Sequence, residues 1–188
     1  MLSKQEFEQW CDRLSINSKS QQIIENIRSS EPSRRVGGGK RNVSGRYPSK
    51  KMGLTIQFES HKVELPFVYQ LEYDDDVLEY YDQPPPLKLN YLSKSGKKGG
   101  FFYTPDYFVI RENSAEWWEC KTEEHLHKLA EKKPERYFLG DDNEWHYSSA
   151  EEYATELGLT FRVWSSASID WTLQQNLEFL EDYFRYDD

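Results

Sequence analysis

Pro105-Asp106 is followed, after twelve intervening residues, by Glu119-Cys120-Lys121. Two acids and a lysine at this spacing match the pattern PD…(D/E)xK. The residues around them predict a two-stranded hairpin over Tyr103–Thr122. Tyr103–Arg111 is an aromatic and β-branched run, Glu112–Ala115 a polar break, and Glu116–Lys121 a second strand. Side chains alternate along a strand, so Asp106 shares a face with Phe108 and Ile110, and Glu119 points the same way as Lys121. Charged groups on such a face cost several kcal/mol each unless paired or metal-bound. Carboxylate oxygens suit Mg²⁺, which can polarise a phosphoryl oxygen and acidify a bound water. Lys121 can orient or deprotonate that water, or neutralise charge building on phosphorus. The chemistry is phosphodiester hydrolysis, with the backbone carbonyl of Cys120 as a further metal ligand.

A third acid comes from upstream. Glu64, Phe67, Val68 and Leu71 recur at helical intervals, which aligns Glu64 with an apolar stripe. Pro66 is tolerated only in a first turn, so the helix starts close to Glu64. Glu59 is a second candidate for the same role. Gln83, at a strand end before Pro84, has two readings: a contact to this site, or a plain strand terminus. Asp74-Asp75-Asp76 reads as a turn closed by an Asx bond. His125 and His127 would diverge on a helix and read as surface residues; His61 and His146 have no sequence partners.

The elements that must position these groups follow from pattern. Residues 1–30 predict two helices, one capped by Ser3, the other by Ser18 or Ser20. Residues 31–53 carry three consecutive glycines and seven bases without an acid between Arg34 and Lys51. This stretch predicts a flexible basic arm whose Arg34, Arg35, Lys40, Arg41, Arg46, Lys50 and Lys51 contact DNA phosphates. Net charge is −9, so the remainder carries −16 once the arm's +7 is set apart. Residues 54–188 then form one domain. Strands are expected at 54–58, 77–83, 87–92 and 159–164, and a basic hairpin loop at 93–100. Helices are expected after Thr122, after Ser148 or Ser149 as far as Gly158, and after Ser168 or Asp170. Pro134 breaks a helix or restarts it as PERYFL. The fold class is α/β (α+β): a mixed central sheet flanked by helices. Cys11 and Cys120 form no framework of disulfides or zinc ligands. No apolar run approaches the ~20 residues of a membrane span. A reduced, cytoplasmic setting is expected, at the nucleoid when active.

The stretches ESHKVELPFVYQLEYDDDVLEYYDQP, FFYTPDYFVI and WWECK, with the tail RVWSSASIDWTLQQNLEFLEDYF, resemble the N-terminal endonuclease domain of TnsA. TnsA is the nuclease subunit of heteromeric cut-and-paste transposases. The resemblance implies a restriction-endonuclease-like fold and Mg²⁺-dependent nicking, with Mn²⁺ as a substitute, at the 5′ strands of double-stranded transposon ends. It implies a DDE-type transposase subunit and an AAA+ ATPase regulator as partners. By motif it carries the active site onto Glu64, Asp106, Glu119 and Lys121. Members commonly continue into a winged-helix domain that docks on the ATPase, whereas this sequence ends at Asp188. The ATPase contact is then expected elsewhere, or the chain is a short member or the nuclease part of a fusion, as also occurs in CRISPR-associated transposons. Two other readings remain: a silent nuclease-fold module for complex assembly, and a restriction or repair nuclease of the same fold.

Overall fold

The computed structural model describes residues 1–35, 43–92 and 97–185. Its centre is a four-stranded mixed sheet of β3 (Val77–Asp82), β6 (Tyr107–Arg111), β7 (Ala115–Lys121) and β10 (Thr160–Ser165), in the order β10-β7-β6-β3. The β3, β6 and β7 pairings are antiparallel, and β10 runs parallel to β7. Strand β6 is buried from Tyr107 to Ile110, as expected of a strand covered on both faces. A parallel pair needs a long crossover. Here it consists of α4 (Glu123–Lys132), a small hairpin of β8 (Tyr137–Leu139) and β9 (Trp145–Tyr147), and α5 (Ser148–Glu156). Helix α3 (Glu64–Tyr73) covers one face. Its Phe67 ring lies 5.5, 5.1 and 5.0 Å from those of Tyr107, Trp118 and Trp164. Helix α6 (Trp171–Arg185) follows β10, with Asp170 accepting from the Leu173 amide at its start.

The N-terminal helices, α1 (Lys4–Arg13) and α2 (Ser18–Ser29), pack into this same core. Arg28 binds the fully buried Glu79 of β3 at 2.8 and 2.9 Å. The Leu2 amide and the Tyr81 hydroxyl also donate to that carboxylate, each at 2.6 Å. Ser3 closes a capping box on α1, as expected. The cap of α2 is Asn17, rather than Ser18 or Ser20.

Several expected boundaries are corrected. The strand from Tyr103 to Arg111 is two strands. Tyr103 ends β5 (Lys98–Tyr103), which pairs with β4 (Leu87–Leu92), and Thr104–Asp106 turns the chain into β6. The basic loop 93–100 is shorter for the same reason, and its residues 93–96 lie outside the described residues. PERYFL is no helix: its last three residues are β8, paired with β9. Helix α5 starts at Ser148 with no side-chain cap. The arm is also shorter than expected, because β1 (Gly45–Ser49) pairs with β2 (Leu54–Phe58) and Tyr47 packs edge-on against Tyr69.

Candidate active site

Asp106 sits where the sheet hands the chain from one layer to another. Its amide donates to the Trp118 carbonyl at 3.0 Å, and its carbonyl accepts from the Gln83 amide at 2.9 Å. Those bonds continue the ladder one residue past Tyr107–Trp118, which puts Asp106 beside Glu119. The Asp106 carboxylate accepts from the Cys120 amide at 2.8 Å. Backbone and side chain are thus both fixed.

Glu119 and Lys121 come from the end of β7. One Glu119 oxygen pairs with the Lys121 ammonium and the other accepts from the Tyr103 hydroxyl. Lys121 Nζ is also 3.8 Å from Asp106 Oδ2 and 3.5 Å from the Cys120 carbonyl oxygen. Glu64, in the first turn of α3, is 6% exposed, and its Oε2 accepts from the Glu59 amide at 2.7 Å. Glu59 itself turns to Arg34, at 3.3 Å, on the partly exposed side. Of the two upstream candidates, Glu64 is the buried one, close enough to Asp106 to feel its charge.

The electrostatics follow from this crowding. Burial, then the Asp106 charge, push Glu64 from 4.5 up to about 8. The same two causes push Glu119 up to about 7. Burial disfavours the Lys121 ammonium, but Asp106 and Glu119 outweigh it and hold the group protonated. The site therefore crowds three acids around one cation. Among the described residues, no three His, Cys, Asp or Glu side chains are gathered closely enough to cage an ion as they stand. The donor chemistry nonetheless fits a hard dication. Glu64, Asp106 and Glu119 offer carboxylate oxygens, and Cys120 offers a carbonyl. Burial first, then repulsion from Asp106, raises the pKa values of Glu64 and Glu119, a cost that a bound dication would offset.

One contributor is absent from the sequence reading. Tyr103 orients Glu119 from outside the motif, and only recognition of the chain break at Thr104-Pro105 separates it from the β6 run. Gln83, one of whose two readings is a site contact, adopts a left-handed conformation (φ 46°) and is 1% exposed. Its amide fixes the Asp106 carbonyl, and its side chain accepts from Arg34 Nε at 2.6 Å.

The residues expected to contact DNA scatter. Arg34 lies over Gln83 and Glu59, beside the site. Arg35, Arg46 and Lys50 are exposed. Lys51 is turned inward: its ammonium donates to the carbonyls of Leu71, Asp74 and Val77 at 2.9, 2.5 and 3.0 Å. Its charge closes the C-terminal end of α3. Lys40 and Arg41 lie outside the described residues. His125 and His127 are exposed, and His127 sits 3.1 Å from Glu123.

Residues 74–166 match the family model described as TnsA-like endonuclease N terminal. This stretch is a TnsA-type endonuclease domain. The matched segment contains Asp106, Glu119 and Lys121 and the whole central sheet, β3 to β10. The mixed sheet between helices agrees with a restriction-endonuclease-like fold, and the match makes the domain that of an endonuclease. Glu64 lies ten residues before the match begins. No curated protein matches the chain. No helix among the described residues is long and apolar enough to cross a membrane.

Proposed function

We propose that this chain is a Mg²⁺-dependent DNA endonuclease that cuts the 5′ strands at transposon ends. One observation carries the reading: inside the matched stretch, Lys121 bridges Asp106 and Glu119, with the buried Glu64 beside them. Asp106, Glu119 and the Cys120 carbonyl would hold the ion, with Glu64 as the further acid. Bound there, the ion supplies Lewis acidity toward a phosphate oxygen and acidifies a water. Lys121, held protonated, positions that water and offsets charge developing on the phosphorane. Tyr103 and the Cys120 amide keep Glu119 and Asp106 from rotating away.

The choice of the 5′ strand rests on the family resemblance, as do the partners: a DDE-type transposase subunit for the 3′ strands and an AAA+ ATPase for regulation. The test is strand-resolved cutting of transposon-end DNA with Mg²⁺ by the reconstituted complex. Wild type is expected to release the 5′ strands, and Asp106→Ala is expected to leave only 3′ cuts. Equal 5′ cutting by both would show that the acids assigned here are not the active site. Absence of 5′ cutting by wild type in a complex that still cuts 3′ strands would favour a silent assembly module.

A further inference from the structure

The hairpin β4–β5 is inserted between β3 and β6, so both of its ends meet the candidate site. Gln83, just before it, fixes the Asp106 carbonyl; Tyr103, its last residue, holds Glu119. From Gln83 to Pro105 the sequence has no acid and four lysines, in a chain of net charge −9. Directly paired residues in an antiparallel ladder share a face. Lys88 pairs with Phe102, Asn90 with Gly100, and Leu92 with Lys98. Leu87 and Leu89 are buried on the opposite face, so this face is the outward one. Lys88, Asn90, Lys98 and Gly100 are exposed on it, and Phe102 is 74% exposed.

A single exposed ring is ordinary on a protein surface; the placing of Phe102 directly opposite Lys88 on a face with a second lysine is what sets this one apart. Cations interleaved with an exposed aromatic are what a nucleic-acid strand recognises: the cations pair with phosphates, and the ring packs against a base or sugar. A cleft of about 630 Å³ continues from the hairpin, and its walls include Asn90, Lys98, Lys133 and Arg136, with Glu135 and Glu152. The Arg136 guanidinium lies 4.3 Å over the Phe101 ring of β5, which fixes that cation against the hairpin.

Given that the chain acts on DNA, we propose that the outward face of β4–β5 is a surface that grips the DNA backbone, on a hairpin whose inward face reaches the acids through Tyr103. Lys88 and Lys98 contact phosphates, and Phe102 packs on the strand where it leaves the duplex. This assigns DNA contact to residues other than those of the basic segment around Arg34, which abuts the start of the hairpin at Gln83.

The test is fluorescence-anisotropy binding of a short duplex, and of the same duplex with an unpaired flap, by the full chain in chelator across a salt series. Lys88→Glu with Lys98→Glu is compared with Lys4→Glu with Lys19→Glu, an equal charge change on exposed positions of α1 and α2. Removing two phosphate contacts should lower the slope of log K against log salt by about 1.8. The α1–α2 variant should keep the wild-type slope. Phe102→Ala should weaken flap binding about tenfold more than duplex binding. If wild type binds and cuts DNA but the hairpin variant matches the α1–α2 variant, the hairpin assignment is overturned and the nuclease assignment stands. If wild type neither binds nor cuts DNA, alone or in complex, both fall together.

Discussion

Glu64 should be a residue that function keeps at the expense of stability. Its carboxylate is buried at the start of α3, with Asp106 close by, and its pKa rises from 4.5 to about 8. For an acid with a raised folded-state pKa, the stability it contributes is full below 4.5 and is lost as pH rises toward 8. The gap corresponds to roughly 5 kcal/mol at about 1.4 kcal/mol per pH unit. Relaxation around coupled charges lowers this, so we expect a cost of about 2–5 kcal/mol above pH 8 in chelator. Glu64→Gln keeps an oxygen to accept from the Glu59 amide and removes the charge. Above pH 8 the variant should melt several degrees higher than wild type, at about 2–4 °C per kcal/mol for a chain of this size. The two should converge below pH 5. The same variant should lose Mg²⁺-dependent cutting. Thermal unfolding from pH 4.5 to 9 in chelator is the assay. A variant no more stable than wild type at pH 9 would refute the claim that Glu64 is held there against its own solvation.

Three other outcomes follow from the contacts. Tyr103→Phe removes the hydroxyl that orients Glu119 and should weaken Mn²⁺ binding by calorimetry roughly 10–100-fold with the fold intact; an unchanged isotherm would mean that Glu119 needs no such support. Arg28→Met removes the cation from the fully buried Glu79 side chain, leaving Leu2 and Tyr81 as its donors among the described residues, and should cost roughly 3–5 kcal/mol in denaturant unfolding; less than about 1 kcal/mol would mean that α2 is not anchored by this pair. Burial works against charging His146, but Asp142 and Glu151 raise its pKa above 6.5; its stabilisation is full below 6.5 and is lost as pH rises through the folded value. The NMR titration midpoint of His146 should fall in Glu151→Gln, and an unmoved midpoint would contradict that pairing.

Much of the centre was legible because it depends on local rules. The β-branched and aromatic run from Tyr107 to Ile110 reads as a buried strand whatever surrounds it. Glu64 in register with Phe67 and Leu71 announced a buried carboxylate, which α3 delivers. The Asp74 side chain accepts from the Asp76 amide at 3.0 Å, the Asx turn expected there. The misses depend on partners distant in sequence. FFYTPDYFVI reads as one run unless Thr104-Pro105-Asp106 is taken as a break, and only distant partners settle it: Tyr103 pairs with Leu87 and Tyr107 with Trp118. Strand β8 is three residues long, too short for a period, and exists only because β9 pairs with it. Lys51 reads as part of a basic arm because composition cannot show that the last carbonyls of α3 lie within its reach. Tyr103 joins the site by the same kind of distant contact, across the layers to Glu119.

A crystal structure with Mn²⁺, located by its anomalous signal, tests the proposed metal centre most directly. One ion or more should appear within coordination distance of Asp106 and Glu119, with the Cys120 carbonyl as a ligand and Glu64 facing the ion directly or through water. An ion bound elsewhere in the chain, with Lys121 still bridging Asp106 and Glu119, would contradict it.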